Sequence, residues 1–230
     1  MLYETDINKA KCKSMGLVLK RRDNAPIVKD IYGGIIDILM KNRDIEKSVN
    51  FLDECLNNIL NGNISFDKFI ITKSLRSGYK NPSQIAHKVL ADRMGDRDIG
   101  NKPSAGDRIP FAYIVTKKKG LQGDRIEHPS YIKENNIKLD YGHYITNQIM
   151  KPILQIYSLI LFEIPILKKK TLLVNRIKRE LVALKSIECD IKKKEEQIKN
   201  KYVQQLLFDK YIEKCEHMKS NTNSITKFFK

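Results

Sequence analysis

The stretch from Gly16 to Pro26, GLVLKRRDNAP, joins an apolar run to three consecutive cations and then to a proline. Leu17–Leu19 favour an extended strand, in which side chains alternate between two faces. Asn24 fits a helix N-cap and Pro26 fits the first turn of a helix. The sequence therefore predicts a rigid strand-to-helix corner that presents the cations of Lys20–Arg22.

The cations at this corner belong to a chain that is basic throughout. Its 230 residues include 43 Lys and Arg against 27 Asp and Glu, a formal net charge of +16, and 41% are hydrophobic. A chain of this length and apolar content can bury a core, and the charge favours an anionic partner without choosing between DNA, RNA and lipid. The most apolar run, 153–167, is too short to cross a bilayer, so no membrane partner is predicted.

The cysteines and histidines predict neither a disulfide framework nor a metal site. Four cysteines are scattered without C-x-x-C pairs, and four histidines have no metal-ligand spacing. This pattern excludes a zinc ribbon and favours a reducing, intracellular setting. No catalytic set of side chains can be assigned from the sequence either.

The apolar spacing predicts an α+β fold that is mainly α. A helical hairpin is expected from Pro26 to about Met40 and from about Asp44 to Leu60. The expected β element comprises a strand within 66–75 and another from about Arg108 to Val115. Ser83 is expected to cap a helix between them, and Pro110 to lie at a strand edge or opening.

One later helix is predicted to carry two different faces. Tyr144, Gln148 and Lys151 recur on one side, whereas Ile145, Ile149 and Ile153 mark a neighbouring apolar side. Pro152 lacks an N–H and is expected to kink or restart the helix. From Lys168 onward, apolar residues recur at helical spacing among many lysines, which is compatible with a helical hairpin, a short coiled coil or a basic arm.

Several segments, in the same order along the chain, resemble family B DNA polymerases of the delta-like or large-DNA-virus type. GLVLKRRDNAPIV is similar to the segment where the palm meets the thumb. The other similar segments lie in the thumb: Ile71–Leu75 (ITKSL), Ala91–Asp98 (ADRMGDRD), Gly106–Val115 (GDRIPFAYIV) and Glu127–Leu161 with its Pro129, Tyr131, Asn135, Ile137, Asp140, Tyr141, Tyr144, Gln148, Lys151, Pro152 skeleton.

The resemblance implies a division of the chain and a role for its cations. It implies the end of the palm at 1–25 and a helical thumb at 26–167. Apolar spacing and charge predict a basic helical extension at 168–219, and the last residues, 220–230, are predicted to be a clamp-binding tail. The thumb would hold primer-template duplex through sequence-independent phosphate contacts. We expect these contacts to line one concavity and to come from Lys20, Arg21, Arg22, Lys73, Arg108 and Lys151.

The tail NTNSITKFFK is similar to the box by which proteins dock on PCNA-type sliding clamps. Ile225, Phe228 and Phe229 would form its apolar face, with Thr222 where a glutamine is usual. The alternative is that the two phenylalanines pack on the thumb itself.

The catalytic part of such an enzyme is not found in these residues. Polymerases need two carboxylates that hold two metal ions, and the palm motif that supplies them is missing here. Asp23, Asp107 and Asp140 are better interpreted as caps or partners of arginine. We therefore expect Mg²⁺ only in the missing palm and no activity from this chain alone. The expected partners are duplex DNA, the palm-containing remainder and a clamp, in the nucleus or at a viral replication site.

Two other classes of function remain compatible with the sequence. The chain could be a stand-alone basic nucleic-acid-binding module, or a helical scaffold that docks on a sliding clamp or another partner protein. Salt-dependent binding of duplex DNA would distinguish the scaffold from both the polymerase thumb and the nucleic-acid-binding module.

Overall fold

A computed structural model describes residues 18–20, 23–116, 120–184 and 191–224, and the fold is α+β and mainly α. The helices are α1 Pro26–Asp37, α2 Ile45–Leu60, α3 Ala86–Arg97, α4 Pro129–Glu134, α5 Tyr141–His143, α6 Met150–Leu159, α7 Pro165–Lys168, α8 Thr171–Leu184, α9 Ile191–Leu207 and α10 Asp209–Ser224. The strands are β1 Ile71–Ser74, β2 Arg108–Tyr113 and β3 Ile126–Glu127.

Helices α1 and α2 form the predicted hairpin. A π-helical turn, Ile38–Asn42, follows α1, and Arg43 then adopts a left-handed conformation with φ 52°. Asp44 caps α2 by accepting a hydrogen bond from the Lys47 N–H at 2.8 Å. Gly62, with φ +73°, reverses the chain after α2, because glycine readily adopts the left-handed conformation that ends a helix.

The predicted strand before Pro26 is wrong. Residues Val18–Lys20 form a 3₁₀ turn, so the expected alternation of cations between two faces does not apply. Leu19 packs on α1, where its Cδ2 would lie 3.3 Å from a Cβ added at Gly33. Within the described part of the chain no strand pairs with this run, and strand propensity without a pairing partner does not produce a strand.

Two of the predicted helix caps are also wrong. Pro26 is the first residue of α1, as predicted, but the N-cap is Ala25 and not Asn24. A residue that precedes proline is driven to extended backbone, and Ala25 has φ −60° and ψ 144°. Ser83 lies inside a 3₁₀ turn, Pro82–Gln84, and the extended residue Ile85 precedes α3 instead.

The three strands form an antiparallel sheet in the order β1-β2-β3. Thr72 lies opposite Pro110, whereas β3 pairs only with Ala112 and Tyr113. β2 is the central strand, but Pro110 lies in the half of β2 that pairs only with β1. Its missing N–H therefore does not disturb the hydrogen bonds between β2 and β3.

A buried tyrosine joins this sheet to the helices. The Tyr144 hydroxyl donates to the Phe69 carbonyl at 2.7 Å and accepts from the Tyr113 N–H at 2.9 Å. Tyr144 begins a π-helical segment, Tyr144–Ile149, that continues directly into α6. Pro152 lies in the first turn of α6, just after the change from π-helix to α-helix. The helix changes type before the proline but is not interrupted by it.

The last three helices pack on earlier parts of the fold, so the described part of the chain after Lys168 is a packed helical extension. α8 packs on α9, α9 packs on α6, and α10 contacts α2 and α5. The Tyr211 hydroxyl of α10 donates to Asp53 of α2 at 2.6 Å. None of the helices in the described ranges has both the length and the hydropathy needed to span a bilayer.

Candidate nucleic-acid interface

Lys73 and Arg108 lie at the same end of the β1–β2 ladder. Lys73 is opposite Ile109 and Arg108 is opposite Ser74. Directly opposed residues of an antiparallel pair share a face. Lys73 therefore leaves the sheet on the face of Ile109, and Arg108 leaves it on the face of Ser74. The two cations flank one end of the sheet and do not share the single face that we expected.

Both side chains are exposed, and a third exposed cation, Arg76, follows in the loop after β1. Within the described ranges, none of the three forms an ion pair with a carboxylate. The neighbouring Asp107 carboxylate accepts a hydrogen bond from the Ser104 N–H at 2.7 Å and so closes a turn before β2. We call Lys73, Arg76 and Arg108 the open cation group. No motif in the sequence had pointed to Arg76.

The arginines of the ADRMGDRD segment have a different role. Arg97 donates two hydrogen bonds, at 3.2 and 2.9 Å, to the carboxylate of Glu127, whose exposure is 2%. Its guanidinium also lies 3.6 Å from the centre of the Tyr131 ring. Arg93 donates to the carbonyls of Gly123 and Ile126. These cations hold α3 against β3 and are not available to an anionic partner.

Arg125 is held in the same way by the buried Asp140. The Arg125 guanidinium lies 3.3 Å from Asp140 Oδ2, and Asp140 Oδ1 accepts from the His143 N–H at 3.0 Å. Asp140 is thus both an arginine partner and a helix cap, as the sequence predicted. We call Arg93, Arg97 and Arg125, with Glu127 and Asp140, the buried ion-pair group.

Lys151 is exposed on α6, apart from the sheet. It lies three residues after Gln148, whose Oε1 accepts a hydrogen bond from the Ala25 N–H at 3.3 Å. The start of α6 is therefore near the end of the basic corner. Ile145, Ile149 and Ile153 are all buried, which confirms the predicted apolar side of this helix.

Some of the predicted contacts cannot be placed. Arg21 and Arg22 lie outside the described residues, as do Ile225, Phe228 and Phe229 of the tail. The backbone of Lys20 ends the 3₁₀ turn, and its side chain is not described.

Within the described ranges, no three His, Cys, Asp or Glu side chains cluster as a metal-ligand set. The most deeply buried acidic side chains in this region, Glu127 and Asp140, are held by arginines.

A comparison with models of protein families matches residues 1–160 to "DNA polymerase family B". The chain belongs to this family. The match covers the hairpin, the three strands and the helices as far as α6.

This family B chain is similar to polymerases of viruses and of eukaryotes. It is 49% identical over 231 residues to a DNA polymerase of Pyramimonas orientalis virus, covering 99% of this chain and 19% of that protein. It is 55% identical over 167 residues to a DNA polymerase of Acanthamoeba polyphaga mimivirus, covering 70% of this chain and 10% of that protein. It is 37% identical over 155 residues to the DNA polymerase delta catalytic subunit of Caenorhabditis elegans, covering 67% of this chain and 14% of that protein.

The chain thus spans a fifth or less of the length of these curated relatives. Among solved structures, it matches the family B DNA polymerase of Pyrobaculum calidifontis with a TM-score of 0.49 and 18% identity, over 57% of this chain and 17% of that one.

Proposed function

We propose that residues 26–167 of this family B chain are the thumb of a DNA polymerase that grips primer-template duplex through contacts to its phosphates. The observation that carries the proposal is the open cation group: three exposed cations at one end of the sheet that have no carboxylate partner among the described residues. Contacts to phosphates position a protein on DNA without reading its sequence, as replication requires.

The geometry favours contacts to separate phosphates. Because Lys73 and Arg108 leave the ladder on opposite faces, one phosphate would not bind both side chains. Lys151 on α6 and the cations of the basic corner, Lys20, Arg21 and Arg22, would extend the contacts along the duplex. Each neutralised phosphate adds about −0.9 to the slope of log affinity against log salt on duplex DNA.

The test is a titration of fluorescent duplexes of two unrelated sequences with the 230-residue chain at several salt concentrations. In the double variant Lys73→Ala/Arg108→Ala, we expect weaker binding to both duplexes alike and a salt slope that is shallower by about 0.9 for each lost contact. Lys41→Ala is the matched control, since Lys41 is an exposed lysine paired with Asp37 on α1. It should leave both affinity and slope unchanged.

Two outcomes would contradict the proposal. If the double variant binds both duplexes as the wild type does, Lys73 and Arg108 do not contact phosphates. If the wild type itself shows no salt-dependent binding, the chain acts as a helical scaffold and not as a nucleic-acid-binding module.

We further propose that the remainder of the polymerase supplies the palm and its Mg²⁺ ions, since no cluster of three metal-ligating side chains lies within the described ranges. The chain alone is then expected not to extend a primer when Mg²⁺ and nucleotides are added. The relatives are DNA polymerases of viruses and a delta catalytic subunit. We accordingly place the protein inside the cell, in the nucleus or at a viral replication site.

Docking on a sliding clamp is the second part of the proposal. α10 runs to Ser224, immediately before Ile225, Phe228 and Phe229, so the tail follows a packed helix directly. A peptide of residues 219–230 should bind a PCNA-type clamp in a calorimetric titration, and the Phe228→Ala/Phe229→Ala peptide should not. Equal heats from the two peptides would exclude the clamp-binding box.

A further inference from the structure

A pair of aromatic side chains closes the loop that follows β1. The Tyr79 hydroxyl accepts a hydrogen bond from the Arg76 N–H at 2.8 Å and lies 3.0 Å from Nε2 of His87. The two rings meet edge to face, with centroids 5.8 Å apart. His87 lies in the first turn of α3. The backbone at Arg76 is therefore tied, through Tyr79, to a helix that packs on the sheet.

The base of the same loop is tied to the start of β2. The Leu75 N–H donates to the Asp107 carbonyl, and the Gly106 N–H donates to the Leu75 carbonyl, each at 2.8 Å. Leu75 itself is buried. Arg76 thus lies between two anchors, and its backbone is fixed although its side chain is exposed. Such pre-organisation lowers the entropy that is lost when a side chain binds a ligand.

Two cations, Lys73 in β1 and Arg76 in the loop, act on the imidazole of His87. Burial lowers the pKa of His87, and the charges of Lys73 and Arg76 lower it further, whereas a backbone hydrogen bond with Ser74 acts in the opposite direction. The lowered pKa favours the neutral ring, which shares a hydrogen bond between Nε2 and the Tyr79 hydroxyl. Lys73 and Arg76 are both exposed and have no carboxylate partner among the described residues, so an anion bound beside them would offset the charge that opposes protonation of His87.

We propose that Tyr79 and His87 are positioning residues that fix the loop backbone at Arg76, so that Arg76 and Lys73 together form one subsite for a backbone phosphodiester. The proposal rests on the proposed function and adds to it a residue, Arg76, and a device that fixes its position. Arg108 lies across the ladder on the other face and would serve a different phosphate.

The subsite has a consequence for the pH dependence of binding. A phosphate between Lys73 and Arg76 would offset their charges and favour protonation of His87, so that binding takes up a proton. The protonated ring can donate from Nε2 to the Tyr79 oxygen, which keeps the contact. Duplex affinity should therefore rise as the pH falls from 8 to 6, through His87.

The experiment measures the anisotropy of a fluorescent 20-base-pair duplex with the full chain at pH 8 and pH 6 and at several salt concentrations. We expect Tyr79→Phe and His87→Gln each to weaken binding about threefold to tenfold at pH 8, the effect of one lost positioning hydrogen bond. His87→Gln should also lose the gain in affinity at pH 6. Circular dichroism at each pH verifies that the variants are folded.

His128→Gln is the matched control for the pH response. His128 is a second half-buried histidine whose pKa is lowered by burial, but it caps α4, where its Nδ1 accepts from the Ser130 N–H. This variant should keep the rise in duplex affinity between pH 8 and pH 6.

The outcomes separate this inference from the proposed function. If Tyr79→Phe and His87→Gln bind as the wild type does at both pH values, while Lys73→Ala and Arg76→Ala bind more weakly, the positioning role is wrong and the duplex grip stands. If Lys73→Ala and Arg76→Ala also bind as the wild type does, the subsite and this part of the duplex grip both fail.

Discussion

The open cation group and the buried ion-pair group lie on the same small sheet, yet their cations have opposite environments. Arg97 and Arg125 meet carboxylates that are almost fully buried, whereas Lys73 and Arg108 meet no carboxylate within the described residues. Buried charges require partners because the protein interior solvates them poorly, and exposed cations are solvated by water until an anion replaces it. The position of the acidic residue, rather than the number of basic ones, therefore distinguishes structural cations from candidate ligand-binding cations.

The largest effect is expected from Glu127→Gln, which tests the buried ion-pair group. The change leaves Arg97 and Arg93 beside a buried neutral amide, and loss of one partner of such a pair costs about 3 kcal/mol of unfolding free energy. Urea denaturation measures it. Asp67→Asn is the control, because Asp67 and its partner Lys133 are both exposed and their pair contributes less than about 1 kcal/mol. Equal losses in both variants would remove the distinction between buried and exposed pairs.

A smaller effect is expected from Asp140, whose carboxylate has two functions. Asp140→Ala removes both the partner of Arg125 and the cap on the His143 N–H, at a cost of about 2 kcal/mol. Asp140→Asn keeps an oxygen for the cap and should restore about 1 kcal/mol of that loss. Thermal unfolding of the two variants separates the functions. If the asparagine variant is no more stable than the alanine variant, the cap contributes nothing.

The smallest effect is expected at Asp53, whose ion pair with Lys210 is partly exposed. Burial acts to raise the pKa of Asp53, but hydrogen bonds from Lys210 and Tyr211 and the charges of Lys210 and Lys214 outweigh it and lower the pKa. A lowered folded-state pKa stabilises the protein above the unfolded-state pKa, about 3.9, and this stabilisation is lost as the pH falls through the folded-state value.

Because the Asp53 side chain is 42% exposed, solvent screening limits this contribution to less than about 1 kcal/mol. Asp53→Asn should therefore be slightly less stable than the wild type at pH 7 and equally stable at pH 2. A difference in urea midpoint that persists at pH 2 would show that packing, and not the ionised carboxylate, is responsible.

The helical hairpin and the strands could be predicted from local signals in the sequence. Pro26, Asp44 and Gly62 each set a helix boundary through their own backbone or side-chain chemistry, and the structure has these boundaries. The predicted strand at Leu17–Leu19 failed in its described part because no neighbouring strand pairs with it. The candidate site was predictable only in part. Lys73 and Arg108 were selected by resemblance, but their opposite faces follow from a register that joins distant segments.

What the sequence by itself determined is the class of the fold, the hairpin boundaries and, through ordered motifs, the family B membership that the family comparison confirms. These properties depend on short-range periodicity, capping and residue identity. Only the tertiary structure decided which cations are structural. Arg97 finds Glu127 thirty residues away, and Arg125 finds Asp140 fifteen residues away. Such pairings depend on which distant carboxylates and hydroxyls the packed core brings within hydrogen-bond distance, and local sequence does not encode this.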